Sequence, residues 1–262
     1  MAIIIGTSGW QYDDWKGRFY PADLPKKGWL PFFSARFPTV EVNNTFYNMP
    51  KAETFSTWQE VSAEGFIITI KASRYITHIR RLRECEDAVK LLWERCERLG
   101  EKLGPVLFQL PPNLRADLEL LASFLRVLPR EMRAAFEFRH ETWDTPEVRD
   151  TLHRHGSALV LADRPGWKIR TEVTGGWSYV RFHQGTNLGP GYRRPRLRKW
   201  AEAIASLDAE ETWVYFNNDP TGAAIRDAVT LAELLLDLGA DVLPGAAWVD
   251  RVPARAGRGT GP

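Results

Sequence analysis

Thr39-Val40-Glu41-Val42-Asn43 decides the fold of this chain. Successive side chains of an extended strand point to opposite faces, so the two valines share one face and Glu41 and Asn43 the other. The same alternation recurs in Phe136-Glu137-Phe138-Arg139 and in Val180-Arg181-Phe182-His183. Each is a short apolar run that ends in a polar or charged side chain. Eight such runs occur, at residues 3–8, 39–43, 66–71, 106–109, 135–139, 159–163, 179–183 and 213–218. Most are followed by helical spacing, at 29–36, 53–62, 84–99, 116–127, 146–155, 196–207 and 221–238. A strand–helix unit repeated eight times predicts an α/β fold, the closed (β/α)8 TIM barrel. Chemistry in that fold sits at the carboxyl ends of the strands.

The 262 residues match the usual length of one such barrel. No Pro/Gly/Ser linker interrupts the rhythm, so residues 1–252 read as one domain. Residues 253–262, rich in Gly, Arg and Pro, read as a disordered tail. The sixth unit is the irregular one: Arg164-Pro165-Gly166-Trp167 looks like a loop, leaving room for a short 3₁₀ turn. A net charge of +2 excludes a globally basic nucleic-acid binder. The two cysteines, Cys85 and Cys96, fall on one predicted helix, about 16 Å apart along its axis, too far for a disulfide. Free thiols, no signal peptide and no membrane-length apolar run predict a cytoplasmic protein with no membrane partner. No feature indicates an oligomeric state.

Valines and phenylalanines must meet the helices, so their neighbours point into the lumen. That parity sends Glu41, Asn43, Thr69, Lys71, Gln109, Glu137, Arg139, Arg181, His183 and Asn217 inward. Reading Val160 and Ala162 as outward adds Asp163. The lumen would then hold Glu41, Glu137 and Asp163 against Lys71, Arg139 and Arg181, a balanced set, as buried charge requires. Long loops at 9–27, 72–83 and 184–195 should gather over the same end. They carry Arg74, Tyr75, His78, Arg80, Arg81, Tyr192, Arg193 and Arg194.

These residues also carry a resemblance. Gly6-Thr7-Ser8-Gly9-Trp10, Phe19-Tyr20-Pro21, Val40-Glu41-Val42-Asn43-Asn44-Thr45-Phe46-Tyr47 and Lys71-Ala72-Ser73-Arg74-Tyr75-Ile76-Thr77-His78 belong to it. So do Gln109-Leu110-Pro111-Pro112, Glu137-Phe138-Arg139-His140 with Trp143, Asp163, Tyr179-Val180-Arg181-Phe182-His183 and Tyr215-Phe216-Asn217-Asn218-Asp219. The chain resembles the domain-of-unknown-function 72 (DUF72) family up to about residue 236. The resemblance implies a TIM barrel and no established activity. Where the family has Gly directly after the His of the seventh strand, this chain has Gln184 before Gly185.

The candidate catalytic residues are Glu41, Lys71, Glu137, Arg139, Asp163, Arg181 and His183. Thr7, Asn43, Arg74, His78, Gln109, Tyr192 and Asn217 are candidates for substrate contact. No metal ligand is assigned, and no cofactor is identified. One lumen histidine, no H-x-H or H-E-x-x-H spacing, and three competing cations make a divalent metal the less favoured reading. Lys71 has the residue type of a Schiff-base nucleophile, but an ion pair with Glu41 or Glu137 is the favoured role. Arg forks and a Gly-bearing loop after the seventh strand suit a small anionic ligand, phosphate or carboxylate. The leading expectation is an enzyme that uses Glu41 or Glu137 as acid or base and His183 as proton shuttle. Hydrolysis comes first, with lyase or isomerase chemistry close behind. The alternatives are a nucleic-acid-binding or nuclease-like protein, whose basic loops and aromatics track a backbone, and a non-catalytic ligand-binding barrel.

Overall fold

The computed structural model describes residues 1–163, 168–183, 191–218 and 220–243. Eight parallel strands close into a barrel: β1 (Ala2–Ser8), β2 (Thr39–Val42), β3 (Ile67–Lys71), β4 (Leu103–Gln109), β5 (Ala134–Glu137), β6 (Ala158–Asp163), β7 (Ser178–Phe182) and β8 (Glu211–Phe216). Closure comes from β1, which pairs with β8 on one edge and β2 on the other. β2 pairs with the carboxyl half of β1, from Gly6 opposite Thr39 to Ser8 opposite Glu41. The vacant amino half of that edge takes a ninth strand, β9 (Asp241–Leu243), alongside Ala2–Ile4. The sequence gives no sign of β9, because three residues after a helix show no alternation.

The helices are α1 (Trp29–Ser34), α2 (Asn44–Tyr47), α3 (Ala52–Val61), α4 (Glu86–Cys96), α5 (Leu118–Val127), α6 (Pro146–Arg154), α7 (Arg194–Ala205) and α8 (Ala223–Asp237). Two starts show their chemistry. Asp117 accepts the Leu120 amide at 3.0 Å, and Thr145 caps α6 just ahead of Pro146. Residues 168–177, between β6 and β7, form no helix. Thr174 ties that connection down, accepting the Leu159 amide and donating to the Ser157 carbonyl. The turn expected at 164–167 and the tail at 253–262 lie outside the described residues. Cys85, just before α4, and Cys96, at its end, are buried free thiols. Among the described residues no helix is long and apolar enough to cross a membrane.

Two apolar layers follow from strand alternation. Ile3, Ile5, Val40, Val42, Ile68, Ile70, Phe108, Phe136, Val180, Phe182, Val214 and Phe216 join the helices in the outer core. Ile4, Leu107, Ala135, Val160, Tyr179, Trp213 and Tyr215 form a separate cluster inside the barrel. Much of the long 9–27 loop is packing. Trp15 and Tyr20 are fully buried, and Tyr20 stacks on Trp29 at 4.7 Å between ring centres. Apolar side chains thus fill the lower lumen and leave the carboxyl end to polar groups.

Candidate functional site

Arg181 of β7 is the centre of that end and is wholly buried. Its Nη2 donates to Glu41 Oε1 of β2 at 2.7 Å, and its Nη1 donates to Glu137 Oε2 of β5. Ser8 and Tyr179 also donate to Glu41, each at 2.6 Å. Gln109 and Arg139 donate to Glu137 at 3.0 and 3.2 Å, and His183 Nε2 lies 3.0 Å from Glu137 Oε1. One layer below, Tyr215 OH bridges Thr39 and Thr69 at 2.8 and 2.7 Å.

Burial alone would push both carboxyls up. For Glu41 the charge and hydrogen bonds of Arg181, with Ser8 and Tyr179, outweigh burial and hold it below the usual carboxylate range. For Glu137, His183, Arg181 and Arg139 do so more strongly. Burial disfavours the Arg181 charge too, but Glu41 and Glu137 more than compensate. The result is an ionised triad whose hydrogen-bonding positions are largely filled. Such a group positions its neighbours and does not trade protons near neutral pH.

Lys71, the last residue of β3, is different. Its Nζ rests 4.3 Å from the centre of the Phe46 ring, and among the described residues it has no carboxylate within 4.0 Å. The expected ion pair with Glu41 or Glu137 is therefore not formed, because Arg181 already occupies both carboxylates. Burial and the charge of Arg181, with Arg139, lower the Lys71 amine to about 8, only partly offset by Glu41 and Glu137. Its backbone is pinned: the Lys71 carbonyl accepts Thr45 Oγ1 at 2.7 Å. His78 packs edge-on against the other partner in this stack, Phe46, at 5.0 Å. Burial, then Lys71, Arg139, Arg74 and Arg81, push the His78 imidazole down, so the mouth is a positive environment.

Asp163 corrects the expected arrangement. Val160 belongs to the inner cluster and Leu161 to the outer core, so Asp163 faces outward. There it accepts Trp200 Nε1 of α7 at 2.9 Å and pairs with Arg196. The run Leu159-Val160-Leu161-Ala162 is apolar on both faces, so its alternation carries no direction. Thr7 also departs from expectation. Its hydroxyl donates to the Gly9 carbonyl at 2.7 Å, and Ser8 is the β1 residue that reaches Glu41. The Tyr192 ring packs against Phe182 and Phe216, which face the helices, so it stands away from the lumen. Arg74 is exposed near His78. Asn217 is half-buried past β8, its amide donating to the Phe182 carbonyl at 2.8 Å. Asn43 sits half-buried after β2, its Oδ1 buried without a hydrogen-bond partner among the described residues.

The structure thus gathers Glu41, Lys71, Gln109, Glu137, Arg139, Arg181 and His183. Sequence reading missed Ser8, Tyr179 and Tyr215, although Tyr179 shares the parity of Arg181 and His183. It also missed Asp227 of α8, which accepts the Tyr192 amide and Asn218 Nδ2 and is raised by burial to about 6. Residues 184–190 of the loop after β7 lie outside the described residues. Among the described residues no group of three or more His, Cys, Asp or Glu is placed to hold a metal ion.

With Asp163 turned away, the lumen charges among the described residues are Lys71, Arg139 and Arg181 against Glu41 and Glu137, three minus two, or one positive charge in excess while Lys71 is protonated. A cavity of about 1030 Å³ opens at the opposite, amino end. Phe19, Phe32, Phe37, Trp213 and Leu243 line it, and its Arg133 and Glu211 already pair with each other.

A parallel eight-stranded barrel with a polar, charge-bearing carboxyl end has the architecture of the TIM-barrel proteins. Within that class, residues 4–249 match the family model described as "Protein of unknown function DUF72", and the chain belongs to that family. It is 26% identical to the UPF0759 protein YunF of Bacillus subtilis, over 89% of this chain and 94% of that protein. It is 29% identical to the UPF0759 protein YecE of Escherichia coli, over 62% of this chain; the match spans 60% of YecE's length. A DUF72 family protein from Thermotoga maritima superposes with a TM-score of 0.81 at 27% identity, covering 90% of this chain and all of that one. A DUF72 family protein from Enterococcus faecalis, at 20% identity and a TM-score of 0.76, shares the fold over 89% of this chain and 95% of its own.

Proposed function

We propose that the carboxyl end of this barrel is the active site of an enzyme acting on a small anionic substrate, phosphorylated or carboxylated, by acid–base chemistry. The observation that carries this reading is the excess positive charge. Glu41 and Glu137 are consumed by Arg181 and its neighbours, while Lys71 has no carboxylate within 4.0 Å among the described residues and His78 lies in a positive field. A bound phosphate or carboxylate would supply the missing negative charge.

The proposed roles follow from proton availability. Glu41, Arg181 and Glu137 form a fixed platform, with Gln109 and Tyr179 as supports. Lys71 is the group whose protonation changes near neutral pH, and His183, 14% exposed beside Glu137, is the second proton carrier. Arg139, 36% exposed, and Arg74 meet the anion. A hydrolytic mechanism built on Glu41 and Glu137 as acid and base loses support, since neither retains a proton. Lyase or isomerase chemistry fits a lowered amine better. The nucleic-acid reading is weakened because loop arginines pair locally: Arg80 with Glu84, Arg83 with Asp117 at 3.4 Å, and Arg170 with Asp144.

The test is a melting-temperature titration. Inorganic phosphate should raise the melting temperature saturably at low concentration, by mass action on the folded state. Chloride at matched ionic strength should not. Arg139→Ala should remove the saturable part while leaving the fold intact. Equal responses to both salts would count against the reading.

A further inference from the structure

We propose that Lys71 is a covalent nucleophile, forming an imine with an aldehyde or ketone that carries the anionic group. This rests on the anion-site reading above and narrows its substrate class to phosphorylated or carboxylated carbonyl compounds.

Two other lysines of this chain find acceptors. Lys102 Nζ donates to the carbonyls of Gln59 and Ser62 and to the Ser62 hydroxyl, at 2.6, 2.7 and 3.0 Å. Lys26 pairs with Asp13 at 2.7 Å. Lys71 is the most buried of the three, and among the described residues its Nζ has no hydrogen-bond acceptor. The Phe46 face attracts the ammonium by a cation–π contact but offers no hydrogen-bond acceptor, and desolvation with the charge of Arg181 still shifts the balance toward the neutral amine, a nucleophile.

The surroundings reinforce this. Glu41 of β2 and Glu137 of β5 bear on Lys71 but are committed to Arg181 of β7. Arg139, at the end of β5, adds a second repelling cation, and His78 lies across the Phe46 ring. Desolvation and neighbouring cations are the two devices that make a lysine nucleophilic at neutral pH. Both act on a side chain whose backbone is held by Thr45 and by the continuation of the β3–β4 ladder at Ala72.

The step balances without an oxidant or reductant. The Nζ lone pair attacks the carbonyl carbon, a C–N bond forms, and the carbonyl oxygen takes up a proton. The resulting carbinolamine expels that oxygen as water while the nitrogen lone pair forms the C=N bond. Both hydrogens of the neutral amine are matched by those leaving in the water. The product of that balance is the neutral imine, which takes up one further proton from solvent; the protonated form then withdraws electrons from the adjacent carbon, as lyase or isomerase chemistry requires.

The experiment uses pyridoxal 5′-phosphate as a probe, being an aldehyde that carries a phosphate, with borohydride reduction and peptide mass spectrometry. At stoichiometric probe, one pyridoxyl group should appear on Lys71, and inorganic phosphate should compete it away. Labelling should rise with pH through about 8, the value set for the amine by burial and by Arg181. Lys71→Arg should lose the label yet keep its phosphate-induced rise in melting temperature. Label spread over Lys16, Lys51 and Lys90, or Lys71 unlabelled while phosphate still stabilises the protein, would overturn the imine and leave the anion site standing. Lys71 labelled with no phosphate competition would sink the anion site and leave the nucleophile.

Discussion

Glu41, Arg181 and Lys71 show how one buried charge cluster can produce two opposite behaviours. Arg181 satisfies both carboxylates, so removing it leaves two buried carboxylates without their shared cation. Arg181→Met should lower the unfolding free energy by about 3–5 kcal/mol or more, the usual cost of breaking a buried pair, measured by urea denaturation. Lys71 should behave the other way. In the unfolded chain it titrates near ~10.4, whereas in the folded protein it titrates at about 8. Between those values the unfolded state binds more protons, so stability contributed through Lys71 rises with pH across that window. Lys71→Met should therefore raise the melting temperature at pH 7, and its advantage should shrink toward pH 10. Parallel stability–pH curves for the two proteins would mean that Lys71 carries no buried-charge penalty. Glu41 and Glu137 give a slope of the same sign in their own, acidic window, but there the charged form is the stabilising one. Their lowered values favour folding above the ordinary carboxylate range, and that contribution is lost as acid protonates the folded protein.

Strands differ in how much of their geometry can be read from side-chain order. In Val40-Glu41-Val42 and Val180-Arg181-Phe182 the faces differ in polarity, and side-chain order alone names the lumen residues. In β6 both faces are apolar, so alternation is equally consistent with Asp163 in the lumen or, as it stands, on the side of α7. Only the packing of Val160 with Tyr179 and Trp213, and of Leu161 with the outer core, settles the direction. The partners of Glu41 are hidden in the sequence for another reason: Ser8 and Tyr179 are far apart along the chain and meet only through closure. Asp163→Ala should thus lower the melting temperature, by loss of the Trp200 and Arg196 contacts, while leaving the phosphate response unchanged. A vanished phosphate response in a folded Asp163→Ala protein would contradict its outward placement. Closure itself depends on Gly6, where a β-carbon would stand 2.2 Å from the Thr39 carbonyl oxygen. Gly6→Ala must push β1 from β2, and a loss of about 1–3 kcal/mol or more is expected from such overpacking. An unfolding free energy within a few tenths of the parent would show that this seam is not tight.

The two ends of the barrel differ in character. The amino end holds a cavity of about 1030 Å³, with Phe19, Phe32, Phe37 and Trp213 in its wall beside Arg18 and Arg36, and its Arg133–Glu211 pair already satisfied. The carboxyl end holds the excess positive charge and the lowered amine. Volume favours the first end; charge and titration favour the second. For a polar ligand the second criterion governs: the amino-end cavity, despite Arg18 and Arg36, is walled largely by apolar groups, whereas Lys71 at the carboxyl end has no carboxylate within 4.0 Å among the described residues. Barrels also present their variable loops at the carboxyl end, where chemistry can change without disturbing the strands. Amide hydrogen exchange separates the two ends. Phosphate should slow exchange in residues 71–83 and in the β7 end around Arg181 and His183. Residues 32–38 and 64–67, which border the amino-end cavity, should exchange at unchanged rates. Protection confined to that second set would move the anion site to the opposite end of the barrel and remove the assignment of Lys71 as its reactive group.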